Sequence, residues 1–502
     1  MNPILLTHMK TKLLTLFLSG MIGTASFAAP DAAKPNFLVI LGEAQGWASM
    51  SVPQDDRHPE GSKSDFILTP NLDRLALRGI RFSDFYAASP RCTPTRAALF
   101  TGRSPAQLQM TFVNEGKKDG TVNPGDKVIA PPATTELPVG IETVGTLLQA
   151  QGYATAHFGK WHCGRVNPRE HGFEENDGPN SNDGPEHVEE PNPTQAYATA
   201  QLGMGFMTRQ AAAGKPFYLQ ISHYPGKTPF TARPDTLESV KRRLGTRFDV
   251  NRIGTAAGNE EIDKTIGLVL AKLDELGLTE NTYVIYTADH GAQGRNANGA
   301  LTNGKGTVWE GGLRVPLVVA GPGIPTGIFS HVRASTVDIL PTILELASAP
   351  SATVPRGVEG ISLAGVLKND PDKAPKRQRE ELVIHFPHYD KDEAGPASAI
   401  YLGNHKLIRF YETEQRQLFD LSTDLAEQQD LAAVHPEIVR DLDARLTDYL
   451  TAEKGGLPTA NPNYDPAGER SGDRRGGMGK GEKKGGKGGK RPAPASDSDA
   501  KN

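Results

Sequence analysis

A cysteine set among arginines, prolines and threonines opens the chemistry of this chain. The stretch Ser89-Pro-Arg-Cys-Thr-Pro-Thr-Arg-Ala-Ala-Leu-Phe-Thr-Gly-Arg103 predicts a short helix with Thr93 as its cap, Pro94 in its first turn and Gly102 as its stop. Cys92 then stands at a helix N-terminus beside Arg91 and Arg96. Free backbone N–H groups, the helix dipole and guanidinium charge all favour an anion there. Taken alone, the pattern reads either as a nucleophilic thiol of low pKa or as a buried structural cysteine.

Other reactive residue types recur at one kind of position. The apolar runs 36–41, 154–158, 216–221 and 282–287 read as buried parallel strands. Glu43 follows the first, Lys160 and His162 the second, His223 and Lys227 the third, Asp289 and His290 the fourth. A single such residue would be an ordinary solvated loop position. Four sets at four strand ends point to a site beyond the carboxyl edge of an α/β sheet.

The intervening segments supply the helices that such a sheet needs. Residues 260–276 carry Ile262, Ile266, Val269, Leu270, Leu273 and Leu276 on one face, and Gly277 stops them. Shorter helices are expected over 71–78 and 142–151, ending at Gly79 and Gly152. Strand–helix alternation predicts a large doubly wound α/β domain. From about residue 380 the rhythm changes to short strands at 382–386, 398–402, 406–411 and 417–421, then a helix over 436–450. Short connections favour antiparallel pairing, which predicts a smaller C-terminal α+β domain.

The chain has 502 residues, and 37% of them are hydrophobic, enough for a sizeable core. Two cysteines exclude a disulfide scaffold and a cysteine-based zinc framework. A net charge of −4 argues against nucleic acid held by bulk charge. At the N-terminus, Lys10 and Lys12 precede an apolar run, 13–22, too short to span a bilayer, and Ser26-Phe27-Ala28 is a small-x-small cleavage pattern. This predicts a signal peptide, hence a periplasmic or secreted protein without stable membrane insertion; a retained N-terminal anchor is the alternative. Residues 466–502 carry a net charge of +5 and a Gly/Lys-rich run, expected to be disordered. The expected organisation is signal peptide 1–28, catalytic domain 29–375, α+β subdomain 376–455 and tail 456–502.

Cys-x-Pro-x-Arg followed by Ala-Ala-Leu-x-Thr-Gly-Arg resembles the signature of the type I sulfatases, in the alkaline phosphatase superfamily. Gly159-Lys-Trp-His162, Thr287-Ala-Asp-His-Gly291 and Gly304-Lys-Gly-Thr-Val-Trp-Glu-Gly-Gly-Leu-Arg-Val-Pro316 resemble further motifs of that family in the same order. The resemblance implies an alkaline phosphatase-like mixed sheet and hydrolysis of sulfate monoesters of a small molecule or carbohydrate. It implies a Cys92 oxidised to Cα-formylglycine by a separate maturation enzyme, and a divalent cation, calcium in most members. One hydroxyl of the hydrated aldehyde attacks sulfur; the other then loses its proton and releases sulfate. Carried over by position, Arg96 stabilises residue 92, Lys160 and Lys305 bind sulfate, and His162 is the base. Asp289 and His290 are metal ligands, with Glu43 and residue 92.

Two departures stand out. The family shows Asp-Asp after the first strand, whereas this chain has Glu43-Ala44; Gln45, Asp55 and Asp56 are candidates for the missing oxygens. After the third strand, Lys227 takes the place of a sulfate-binding, leaving-group-protonating histidine, and His223 is an alternative proton donor. His385, His388 and Tyr389 form a further polar–aromatic cluster, read as a sugar-binding rim or as packing. A phosphonate or phosphate ester hydrolase, an inactive binding homologue and an ordinary cysteine hydrolase are the rival readings.

Overall fold

Strand Asn36–Gly42 is buried along its whole length, because it lies inside a sheet covered on both faces. The computed structural model describes residues 34–471 except 114–121, 183–191, 227–231, 294–296, 351–352, 371 and 373–374. The expected signal peptide, Lys227 and the Gly/Lys-rich run lie outside the described residues.

The main sheet has eight strands, in the order Ile328–Ser330, Ile80–Phe82, Leu317–Ala320, Thr282–Ala288, Asn36–Gly42, Phe217–Ser222, Ala154–Gly159 and Glu175–Asn176. The four strands expected from the apolar runs are mutually parallel. Leu317–Ala320 runs antiparallel between Thr282–Ala288 and Ile80–Phe82, which makes the sheet mixed. Phe37, Val39 and Leu41 enter one core, Leu38 and Ile40 the other. Two buried faces remove the need for polar alternation, hence the unbroken apolar runs.

Helix Val250–Glu275 starts well before the expected residue 260. Asp249 caps it by accepting from the Asn251 and Arg252 N–H groups. Its first turns bury Ile253, Ala256 and Ala257, small side chains that leave little periodic signal.

The C-terminal layer is a four-stranded antiparallel sheet, Leu382–Phe386, Ala397–Leu402, His405–Phe410 and Arg416–Asp420. Helix Pro436–Ala452 covers one face, where Leu442, Leu446 and Leu450 meet Val383, Ile400, Leu407 and Leu418. The other face packs Ile384, Tyr401 and Phe419 against Tyr86, Val308 and Leu313. Lys406 is buried there and reaches Glu310 at 3.0 Å and Glu427 at 2.6 Å, the pairing that a buried charge requires.

Two expectations are corrected here. Residues 456–471, assigned to the disordered tail, fold back on the body. Thr459–Ala460 pairs with Val128–Ile129, and the Asn461 amide donates to the Asp126 carbonyl at 2.7 Å. This segment is held by backbone and short polar groups, so it has no apolar pattern to announce it. The His385 cluster is packing, not a sugar rim. His385 bonds Ser398 at 2.7 Å and the Gly456 carbonyl at 2.8 Å. His388 bonds Thr111 and stacks on Phe112, while the Tyr389 hydroxyl accepts from the Val128 N–H. Among the described residues, no helix is long and apolar enough to cross a membrane.

Candidate active site

Strand register gathers the polar residues. Gly42 pairs with Ala288, while Leu41 and Gly159 both pair with Ser222. The next residues, Glu43, Asp289, His223 and Lys160, therefore emerge side by side. Main-chain bonds hold this fan: Asp289 N to Gly42 O at 3.1 Å, His223 N to Leu41 O at 2.9 Å, Lys160 N to Ser222 O at 2.9 Å. Gly159 makes the last turn possible. Its φ is +96°, and a Cβ there would lie 1.9 Å from the Ser222 carbonyl oxygen.

The cysteine helix runs Cys92–Thr101 and is buried throughout. Its cap is Arg91, not Thr93, because Cys92 already has helical geometry. Thr95 fastens the entry instead, accepting from Ser89 N at 3.1 Å and donating to Ser89 O at 2.9 Å. Gly102 closes the helix at φ 65°, as expected.

Arg96 and Lys160 are wholly buried. Arg96 Nη2 donates to Asp289 Oδ2 at 2.9 Å and to Glu43 Oε2 at 3.1 Å. Lys160 Nζ meets Glu43 Oε2 at 2.8 Å, and Lys305 Nζ meets Glu43 Oε1 at 3.1 Å. Around the Cys92 sulfur lie His290 Nε2 at 3.2 Å, Glu43 Oε1 at 3.6 Å and Lys305 Nζ at 3.7 Å. Arg91 turns away and forms a bidentate pair with Asp390, so lysine supplies the charge nearest the sulfur.

The electrostatics follow. Burial and the Glu43 charge push the Cys92 thiol up, but Lys160, His290 and Lys305 outweigh them and hold it well below the usual thiol range. Burial likewise opposes ionisation of Glu43, and Lys160 followed by Lys305 overcomes it, so its carboxyl sits well below its usual value. Asp289 goes the other way: burial first, then the Glu43 charge, push its carboxyl up.

Glu43, Cys92, Asp289 and His290 each offer a ligand atom, all within 4.8 Å of one another and all buried. His290 Nδ1 is 3.0 Å from the Gly291 carbonyl oxygen, which can only accept, so Nδ1 carries the proton. The Nε2 lone pair then faces Asp289 Oδ1 at 3.4 Å and Glu43 Oε1 at 3.8 Å. That juxtaposition is repulsive unless a proton or a cation lies between, so these residues fit a divalent metal ion.

Beside Glu43 opens a cavity of about 190 Å³ lined by Ala44, Gln45, Thr194, His223, Tyr224 and Asn259, among others. Burial lowers the His223 pKa to about 4, and its Nδ1 has no hydrogen-bond partner among the described residues. His162 is buried one residue beyond Trp161 with a left-handed φ of 56°. Its N–H donates to Asn180 O at 2.8 Å, and the adjacent Cys163 sulfur lies 3.9 Å from the Thr93 carbonyl oxygen, against the cysteine helix.

Of the substitutes considered for the missing carboxylate, Asp55 and Asp56 do not join the cluster. Asp55 pairs with Arg57 at 2.8 Å and Asp56 with His331 at 3.2 Å, in a separate group. Gln45 donates its amide to the Glu43 carbonyl at 3.3 Å and lines the cavity. Asp390, Thr194 and Asn259 escaped the sequence reading. None lies in a motif, and only chain reversal over long separations brings them near.

Acidic, basic and metal-capable groups crowd one residue at the carboxyl edge of a doubly wound sheet, an arrangement suited to hydrolysis of an anionic ester. Over residues 35–349 the chain matches the sulfatase family, and it belongs to that family. Residues 303–453 also match the N-sulphoglucosamine sulphohydrolase C-terminal family. The chain is similar to N-acetylgalactosamine-6-sulfatase of Canis lupus familiaris, 32% identical over 394 residues that cover 70% of this chain and 69% of that protein. It is 29% identical to the ulvan-active sulfatase of Formosa agariphila, over 85% of this chain and 82% of that protein. The solved structure of BT1596, a 2-O GAG sulfatase, has the same fold, with a TM-score of 0.62, 22% identity, and coverage of 88% of this chain and 99% of that one. The protein is thus a sulfuric ester hydrolase, as the motif resemblance implied.

Proposed function

We propose that this is an exported enzyme that hydrolyses sulfate monoesters of a carbohydrate, using a formylglycine made from Cys92 and a bound divalent cation. The single observation that carries the reading is the enclosure of the residue-92 side chain by Glu43, His290 and Lys305 within 3.7 Å. A plain thiol needs one base; this position has a lysine and metal-capable ligands as well, which suits a doubly hydroxylated carbon and a sulfate. Carbohydrate is the proposed substrate class because relatives such as the N-acetylgalactosamine-6-sulfatase and the ulvan-active sulfatase act on sugars by their names. The signal-like N-terminus supports export to the periplasm or beyond, with residues 29–375 as the catalytic domain and 376–455 as a second one.

When bound, the cation offsets charge on sulfate and on residue 92. Glu43, Asp289, His290 and residue 92 would hold it. Lys305, the more open of the two lysines, offers its remaining N–H groups to sulfate oxygens, while buried Lys160 keeps Glu43 ionised. Arg96 fixes both carboxylates. His162 takes the proton that residue 92 must lose to release sulfate, and His223 meets the leaving oxygen; Lys227 is the alternative donor.

The test is a peptide mass spectrum across Arg91–Arg96 after co-production with a maturation enzyme, with turnover of aryl sulfate, phosphate diester and phosphonate monoester compared. Conversion of Cys92 to the aldehyde, preference for sulfate and loss of activity in Cys92→Ala are expected. An intact thiol in a preparation that is fully active, and inactivated by alkylation, would instead identify a cysteine hydrolase.

A further inference from the structure

The donors around residue 92 are not an all-oxygen set, and we infer that this site selects a first-row transition cation, manganese or zinc, over calcium. The inference rests on the metal-dependent sulfatase reading and specifies the ion. Arg96 holds Asp289 Oδ2, and Arg96 with Lys160 holds Glu43 Oε2. Each carboxylate therefore has one oxygen, Glu43 Oε1 and Asp289 Oδ1, facing His290 Nε2, with Lys305 Nζ also 3.1 Å from Glu43 Oε1. The bond from His290 Nδ1 to the Gly291 carbonyl fixes that Nε2 as a lone-pair donor. Ala44 contributes only its N–H, to Asp289 Oδ1 at 3.1 Å. Asp55 and Asp56 are engaged in the separate group, and the Gln45 amide nitrogen is bonded to the Glu43 carbonyl.

Among the histidine, cysteine, aspartate and glutamate side chains of the described residues, the cluster thus supplies two oxygens, one imidazole nitrogen and the side chain of residue 92. Calcium takes six to eight oxygens and gains nothing from an imidazole. Three ligands besides residue 92, one of them histidine, with open positions left over, match the small borderline cations.

The measurement is metal content. Purified protein is equilibrated in equimolar Ca2+, Mg2+, Mn2+ and Zn2+, then bound metal is counted by elemental mass spectrometry. About one equivalent of manganese or zinc, with calcium below roughly a tenth of that, is expected. His290→Asn should lower the transition-metal preference at least ~10-fold; if that variant does not fold, the wild-type competition decides alone. A thermal-shift titration should show Mn2+ or Zn2+ raising Tm more than equal Ca2+. One equivalent of calcium in the wild type, no bound metal, or an unchanged preference in folded His290→Asn overturns the inference. Failure of the sulfatase reading would show separately, as unmodified Cys92 and no sulfate release.

Discussion

Arg96 Nη2 lies 2.9 Å from Asp289 Oδ2 and the same nitrogen lies 3.1 Å from Glu43 Oε2. One buried guanidinium thereby ties the ends of two neighbouring parallel strands and neutralises carboxylates that would otherwise repel. Arg96→Leu should lose about 3–5 kcal/mol of stability, since it strands the buried Asp289 carboxylate and leaves Glu43 only its two lysines. Arg96→Lys keeps the charge but not the planar fork, and should recover only part. Denaturant titration checks this; an unfolding midpoint unchanged in Arg96→Leu would refute the assignment.

His223 faces the cavity beside Glu43 with its Nδ1 unbonded among the described residues. If its neutral imidazole N–H hydrogen-bonds the leaving oxygen, His223→Ala should cost about 10²-fold in kcat on a sugar sulfate. On a nitrophenyl sulfate, whose leaving group needs no proton, the cost should stay below about 10-fold. Equal losses on both substrates would remove His223 from that role and leave Lys227.

Acid should destabilise the fold through two histidines outside the ligand cluster. Burial lowers His157 from 6.5 to about 3 and His385 to about 4, so both are neutral in the native state. The unfolded chain takes up protons near pH 6.5 and the folded one does not, so stability is complete above that pH. It is lost as pH falls toward 4, by a few kcal/mol on the order of magnitude set by the shifts. His157→Gln, which keeps a partner for Ser222 Oγ, should flatten this acid limb. A wild-type Tm constant between pH 7 and 4.5 would contradict the burial argument.

Truncation after Gly455 removes the strand Thr459–Ala460, the Asn461 bond to Asp126 and the Gly456 carbonyl that accepts from His385. A loss of about 1–3 kcal/mol is expected, from stranded partners more than from lost contacts. Calorimetry of the full chain and the truncated one decides it; equal Tm values would mean that the segment adds nothing.

Ala44 has a left-handed φ of 53°, a conformation that aspartate tolerates better than most residues. Ala44→Asp should therefore fold, add an oxygen donor at the cavity wall and raise calcium occupancy relative to manganese. Elemental analysis of the variant reads this directly, and an unaltered ratio would show that residue 44 does not face the ion.

What the amino-acid order settled by itself was local. Both-face burial demands unbroken apolar runs, so 36–41 and 282–287 were legible as strands, and glycine stops such as Gly102 and Gly277 need only their own backbone geometry. Residues placed just past those runs, Glu43, Lys160 and Asp289 among them, were legible as a site for the same reason. The tertiary structure decided which strand neighbours which, and so that Gly42 pairs with Ala288 and Glu43 stands beside Asp289. It sent Arg91 to Asp390 and Arg96 to the carboxylates, although both flank Cys92 in sequence. It also gathered Glu43, Asp289 and His290 around residue 92 and folded 456–471 onto the body. Such choices depend on the packing and charge balance of the whole molecule, summed over partners hundreds of residues apart, and no local pattern encodes that sum.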